Sequence, residues 1–227
     1  MGGRWHMGCV VGRWMGVIAL CVSLAACGGK PEPRRTARPL LAPAPPQATA
    51  QSPEIRQCVA KLRSAGVQLE ALPDRRFSGG CTALGSVRLL DFGVPTTNIT
   101  TMTCPLAEKF VGWARYGVQP AARLYLGGEL ARIETFGTYA CRPIAGSGRL
   151  SEHGRSNAVD IAAFVLADGR RISVKNGWNG DGRERQFLRI IRQSACKRFR
   201  RVLSPDYNAA HHDHLHFDLG GRGEYCR

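Results

Sequence analysis

The sequence predicts a single α+β domain with a small antiparallel sheet flanked by helices. Three observations predict it: apolar residues recur at helical spacing in three places, apolar or alternating runs rich in β-formers lie between and after them, and the helices come first, with one more before the last strand. The domain is assigned to residues 54–227, about 174 residues, enough for one core and too few for two.

The first helix is marked by Ile55, Cys58, Val59 and Leu62, with Ser52 and Pro53 supplying a cap and a first-turn proline. A second begins at Pro105 and carries Leu106, Phe110 and Trp113. Arg123–Leu126 reads as a short strand and Ala131–Tyr139 as another. The run from Asp160 to Leu166 reads as a mostly buried strand headed by a carboxylate, pairing with Arg171–Val174 across the turn Asp168-Gly169. A third helix is expected over about Arg183–Arg201, its stripe being Phe187, Ile191, Ala195 and Phe199. In the last strand, His214, His216 and Asp218 share one face while Leu215, Phe217 and Leu219 share the other. There is no internal repeat.

Residues 1–26 carry the pattern of an export leader. Arg4 and Arg13 precede an uncharged apolar stretch, Trp14 to Ala26, too short for a usual span of about 20 residues. It ends in Leu24-Ala25-Ala26-Cys27, which resembles the bacterial lipoprotein processing box. The resemblance implies a lipid on Cys27 and attachment to a membrane from the periplasm, with the outer membrane open because Gly28, not aspartate, follows. The competing reading is an ordinary secretory leader with an incidental cysteine. Residues 27–53 read as a proline-rich tether with too few large apolar side chains to build a core.

Of nine cysteines, Cys9 and Cys21 leave with the leader and Cys27 is assigned to lipid. That leaves Cys58, Cys81, Cys104, Cys141, Cys196 and Cys226. None has Cys-x-x-Cys spacing, so three disulfides in an oxidising compartment are expected, their connectivity open among fifteen. Formal charge is +15, from 32 basic and 17 acidic residues; loss of Arg4 and Arg13 leaves 30 against 17, or +13. An exported cation of this kind meets anionic envelope polymers such as peptidoglycan rather than nucleic acid. The arginines of the third helix, among them Arg185, Arg189 and Arg192, read as a solvated face before they read as a docking patch.

Chemistry concentrates in two runs. His153 and Asp160 are separated by a loop containing the turn-formers Gly154, Ser156 and Asn157, and His214 and His216 follow some fifty residues later. A carboxylate at the head of an apolar strand needs a partner, and two imidazoles with one carboxylate form the donor set of a catalytic zinc site that leaves a position for water. The expected ligands of Zn2+ are His153, Asp160 and His216. His214, beside His216, is the first choice for general base, with Asp213 and His211 as alternatives. Ser151 and Glu152 are expected to orient the ligand loop. Trp178, in a glycine-rich loop, has two readings: it edges the cleft or it anchors a turn.

These residues resemble the superfamily of lysostaphin-type enzymes, D-alanyl-D-alanine carboxypeptidases and sonic hedgehog, whose zinc is held by His, Asp and His. More closely, Cys58–Cys226 resembles the bacterial extensin-like C-terminal domain family. The matching motifs, in order, are Ser151-Glu152-His153, Ala158-x-Asp160-Ile161, Pro205-Asp206-Tyr207-Asn208 and His211-x-Asp213-His214-x-His216-x-Asp218-Leu219. The resemblance implies a hedgehog-like or D-Ala-D-Ala-peptidase-like fold and hydrolysis of amide bonds in peptidoglycan stems or cross-links. It maps His153, Asp160 and His216 onto the zinc ligands and His214 onto a proposed base. It also maps His211 onto a histidine near the site of related endopeptidases, and Arg142 onto a substrate-binding arginine. Two departures stand out. The carboxypeptidases carry glycine where this chain has Ser156, and their Glu-x-x-Trp-His base motif is absent. A non-catalytic envelope lipoprotein that binds zinc or peptidoglycan is the alternative reading.

Overall fold

A computed structural model describes residues 52–227, so the expected leader, Cys27 and all of the proline-rich tether before Ser52 lie outside the described residues. In chain order the elements are helix α1 (Pro53–Ser64), strands β1 (Gln68–Ala71), β2 (Arg75–Arg76), β3 (Thr82–Ala83), β4 (Ser86–Asp91) and β5 (Met102–Thr103), and helix α2 (Cys104–Trp113). A second group follows: α3 (Gln119–Ala121), β6 (Leu130–Gly137), β7 (Ala158–Leu166), β8 (Arg171–Ser173), α4 (Val174–Gly177), α5 (Gly182–Cys196), β9 (Arg201–Leu203), β10 (Leu215–Asp218) and β11 (Tyr225–Cys226). The domain is α+β, as expected.

The caps explain where the helices start. Ser52 accepts a hydrogen bond from the Ile55 amide with Pro53 in the first turn, and Thr103 does the same for Leu106 ahead of α2. Asp181 accepts from the amides of Arg183 and Glu184 to open α5. That helix ends at Cys196, not Arg201. Phe199 is still buried, but on the turn beyond, and Arg201 already pairs in β9.

Two further expectations are corrected. Arg123–Leu126 is helical: the chain winds on from α2 through π-helical segments Ala114–Val118 and Ala122–Leu126 around α3. Over that longer window the buried positions Ala114, Val118, Ala121, Ala122 and Leu126 follow a helical stripe. The four-residue alternation was therefore coincidental, and Gly127, at φ +64°, ends the run. Asp160 is the third residue of β7 rather than its head.

The main sheet has the order β11-β9-β10-β7-β6, with β8 on β7. All its pairings are antiparallel except β11 on β9. A separate three-stranded sheet, β1-β4-β5, packs with α1 and α2; sequence reading did not foresee it. The core joins α2, α5 and the main sheet through rings. Trp113 packs edge-on against Phe217 and Phe164 and donates its indole N–H to the Ile191 carbonyl at 2.9 Å, and Phe217 stacks on Phe199. All six domain cysteines are paired, as Cys58–Cys104, Cys81–Cys141 and Cys196–Cys226.

Phe217 is fully buried at the junction of three elements. Replacing Phe217 by Ala is expected to cost about 3–5 kcal/mol through lost burial and a residual cavity. The check is the midpoint of denaturant unfolding at unchanged slope; a loss under about 1 kcal/mol would contradict this packing.

Candidate functional site

The site is a product of strand register. In the antiparallel pair β7–β10, His216 lies directly opposite Asp160, and on the other side of β7 the partner of Asp160 is Gly137 of β6. Directly opposed side chains on one face stand close enough to bond, and the His216 Nδ1 to Asp160 Oδ1 distance is 2.8 Å. Gly137 has φ +125°, a backbone open to glycine, and it lines the cleft beside Asp160.

The third member arrives on a loop. His153 sits in a single 3-10 turn, Glu152–Arg155, whose first amide groups are held by Ser151 Oγ, which accepts from the His153 N–H. Asn157 donates its side-chain amide to the Glu152 carboxylate at 2.7 Å, closing the loop behind the turn. Ser151 and Glu152 thus hold the loop as expected. Ser156 ends the turn at φ +56°, a left-handed conformation that glycine adopts more freely than serine, and its hydroxyl donates to the Thr82 carbonyl at 3.5 Å. His153 Nε2 then lies 3.1 Å from Asp160 Oδ2 and 3.2 Å from His216 Nδ1.

One ligand atom each from His153, Asp160 and His216 falls within 4.8 Å of the others. All three residues are buried. The imidazoles are oriented from behind. The Thr138 carbonyl accepts from His153 Nδ1, leaving Nε2 facing the cluster, and the Asp218 carboxylate accepts from His216 Nε2 at 2.8 Å, leaving Nδ1 facing it. An outer oxygen fixing the tautomer of each histidine is the usual support of a metal-ligating imidazole. The donor set, two nitrogens and one carboxylate oxygen, fits Zn2+.

Charge is concentrated here. Burial opposes ionisation of Asp160, but hydrogen bonds from His153 and His216 overcome it and hold the carboxyl far below the usual range. Burial likewise opposes the His216 cation, yet bonds to Asp160 and Asp218 push this imidazole up to about 9. His211 goes the other way, to about 4, through burial and then the proximity of His214 and His216.

A cleft of about 310 Å3 opens in front of the cluster, lined by His153, Asp160, His214, Asp213, Arg142 and Phe136 among others. His214 precedes β10; its Nδ1 donates to Asp213 at 2.9 Å, and its Nε2 lies 3.7 Å from Asp160 Oδ1. Arg142 also lines the cleft, one residue beyond the Cys81–Cys141 disulfide. His211 stands outside that lining but ring to ring with His214 at 5.1 Å. The structure therefore brings His153, Asp160, His216, His214, His211 and Arg142 around one place. Trp178 does not edge the cleft: it is buried, donates to Asp206 at 2.8 Å and is covered by the Arg189 guanidinium 3.8 Å above its ring, so the turn-anchoring reading holds. Phe136 and Tyr139, which line the cleft, were missed; Phe136 is a large ring at an outward position of β6.

A family model described as "Extensin-like protein C-terminus" matches residues 56–227, well over half of the chain. No curated protein and no solved structure matches it significantly.

The opposed shifts of His216 and His211 give a stability profile for the chelator-treated domain. His216, raised when folded, stabilises fully below its unfolded value near 6.5, and that contribution is lost as pH rises through about 9. His211, depressed when folded, carries no penalty above about 6.5 and an increasing one as pH falls through about 4, where Asp160 begins to add its own loss. Urea midpoints measured from pH 4 to 9 in chelator are expected to peak near pH 6.5. A midpoint still climbing at pH 9 would contradict the His216–carboxylate contacts.

Proposed function

The chain belongs to the family of extensin-like protein C-termini, and from that premise we propose that it is an exported zinc-dependent peptidase, related to the zinc carboxypeptidases, acting on the peptide stems or cross-links of peptidoglycan. The observation that carries the reading is the buried convergence of His153, Asp160 and His216 at the floor of an open cleft. Two imidazoles and a carboxylate brought out of water together cost several kcal/mol unless something binds there, and such clusters concentrate at functional sites.

A zinc ion on these three ligands supplies Lewis acidity toward a carbonyl oxygen and a water acidified to a pKa of about 7. The remaining roles belong to the chain. His214 is the general base: Asp213 holds its Nδ1–H, so Nε2 is the free nitrogen and points toward the Asp160 side of the cleft. His211, held neutral at physiological pH, is a second acceptor within ring contact of His214. Arg142 lines the cleft, where its planar fork suits a stem-peptide carboxylate or the oxyanion that develops at the scissile amide. Sequence features outside the described residues support a periplasmic location with a lipid on Cys27. The high positive charge favours the anionic cell wall and not nucleic acid as partner.

Purified chain is expected to contain about one zinc per molecule and to cleave muropeptides in a chelator-sensitive way. His216→Ala is expected to abolish both while leaving the circular dichroism spectrum unchanged. A zinc-loaded chain that cleaves no muropeptide would favour the non-catalytic envelope protein instead. Asp218→Asn, which removes only the outer partner of His216, is expected to weaken zinc affinity about 10- to 100-fold. An unchanged affinity would remove Asp218 from the metal centre.

A further inference from the structure

The rings around the cleft are not scattered. From the carboxy-terminal side, Tyr225 lies 5.9 Å from Tyr207, Tyr207 5.3 Å from His211, His211 5.1 Å from His214, and His214 5.8 Å from Phe136, all between ring centroids. Phe136 and Tyr139 line the cleft together, and Tyr139 is 5.4 Å from Phe77. Of the seven large apolar side chains that are exposed among the described residues, Phe136, Tyr207, Tyr225 and Phe77 lie on this line, at 59, 42, 41 and 40 % exposure. Aromatic rings left in water along one path, passing through a candidate active site, mark a surface that is covered by a ligand.

We infer that this path is a track for the glycan strand of the substrate, so that the peptidase reading above, on which this rests, applies to stems still attached to sugar. The cleft itself is small for a polymer, and the substrate must continue beyond it on both sides. Stem peptides offer carboxylates and short side chains, which match Arg142 but have no flat apolar face to set against a phenyl ring. The pyranose rings of the glycan do have such faces.

The test uses the full chain and two probes, a soluble glycan chain of several disaccharide units bearing tetrapeptide stems (the muropeptide probe, long enough to reach both ends of the path) and the same tetrapeptide without sugar, with affinity read by calorimetry in the presence of zinc. Tyr207→Ala, Tyr225→Ala and Phe77→Ala are each expected to weaken muropeptide binding about two- to tenfold, the range of one ring contact, and to leave free-peptide binding unchanged. Tyr207→Phe, which keeps the ring, is expected to bind as the parent chain does. Equal loss on both probes, no loss on either, or a parent chain that does not bind the muropeptide overturns the track. If the parent binds both probes and cleaves neither, the hydrolase reading falls while the ring effect on affinity still decides the track. If it cleaves both with the same KM, the hydrolase stands and the track falls.

Discussion

The register between β7 and β10 is the constraint on which the site depends. It sets His216 against Asp160, and since side chains alternate faces along a strand, a slip of one residue would turn every functional group of β10 into the core and bring Phe217 and Leu215 out of it. Burial of those two rules this out, because each is fully enclosed and Phe217 packs against Trp113 and Phe199. The apolar face of the strand therefore fixes the polar face. Packing between α2, α5 and the sheet, remote from the cleft, is what holds a carboxylate and an imidazole at 2.8 Å.

The loop part of the site is assembled differently. His153 and Arg142 sit on irregular backbone between β6 and β7, where no ladder holds them. Their positions come from a set of local ties: Thr138 O on the His153 ring, the amide of Ala140 on the His153 carbonyl, the amide of Ser151 on the Arg142 carbonyl, and the Cys81–Cys141 bridge to the segment after β2. A covalent link there restricts the loop in the unfolded chain as well as in the folded one, and it falls one residue from the arginine whose placement matters. The strands thus supply one half of the site through their ladder and the tied loop the other, a division common where a rigid scaffold presents binding groups on loops.

What the sequence made legible were the features written in neighbouring residues. Ser52 and Pro53, Pro105 with the residues after it, and the stripe Phe187–Ile191–Ala195 each specify a helix from within one or two turns. The alternation from Leu215 to Asp218 separates core from site in four residues. Arg123–Leu126 misled for the same reason in reverse, since four alternating residues are too short a window when a π-helical run surrounds them. The three-stranded sheet of β1, β4 and β5 was hidden because its strands are short, one of them being only Met102–Thr103, and are joined by pairing distant in sequence. Disulfide partners and the ring path were hidden for that reason too: Phe77 and Tyr139, or Tyr207 and Tyr225, become neighbours only when the chain has folded.

The interior of the main sheet departs from what stability alone would select. Asp160, His153, His216 and Asp218 occupy buried positions in or beside a sheet whose other buried residues, Thr135 apart, are apolar. Apolar residues of similar size at those four places would remove the desolvation cost of the two carboxylates and the imidazoles, and buried ionic groups are often replaced that way without loss of stability. The network is nonetheless complete, each imidazole nitrogen and each carboxylate having a partner. A polar cluster that is expensive to bury, fully oriented from behind and open to solvent only through a cleft is where a fold gives up stability for a task. The choice of groups narrows that task, because one imidazole suffices to pair Asp160 in a structural ion pair, and here a second is brought on a separate loop to the same carboxylate.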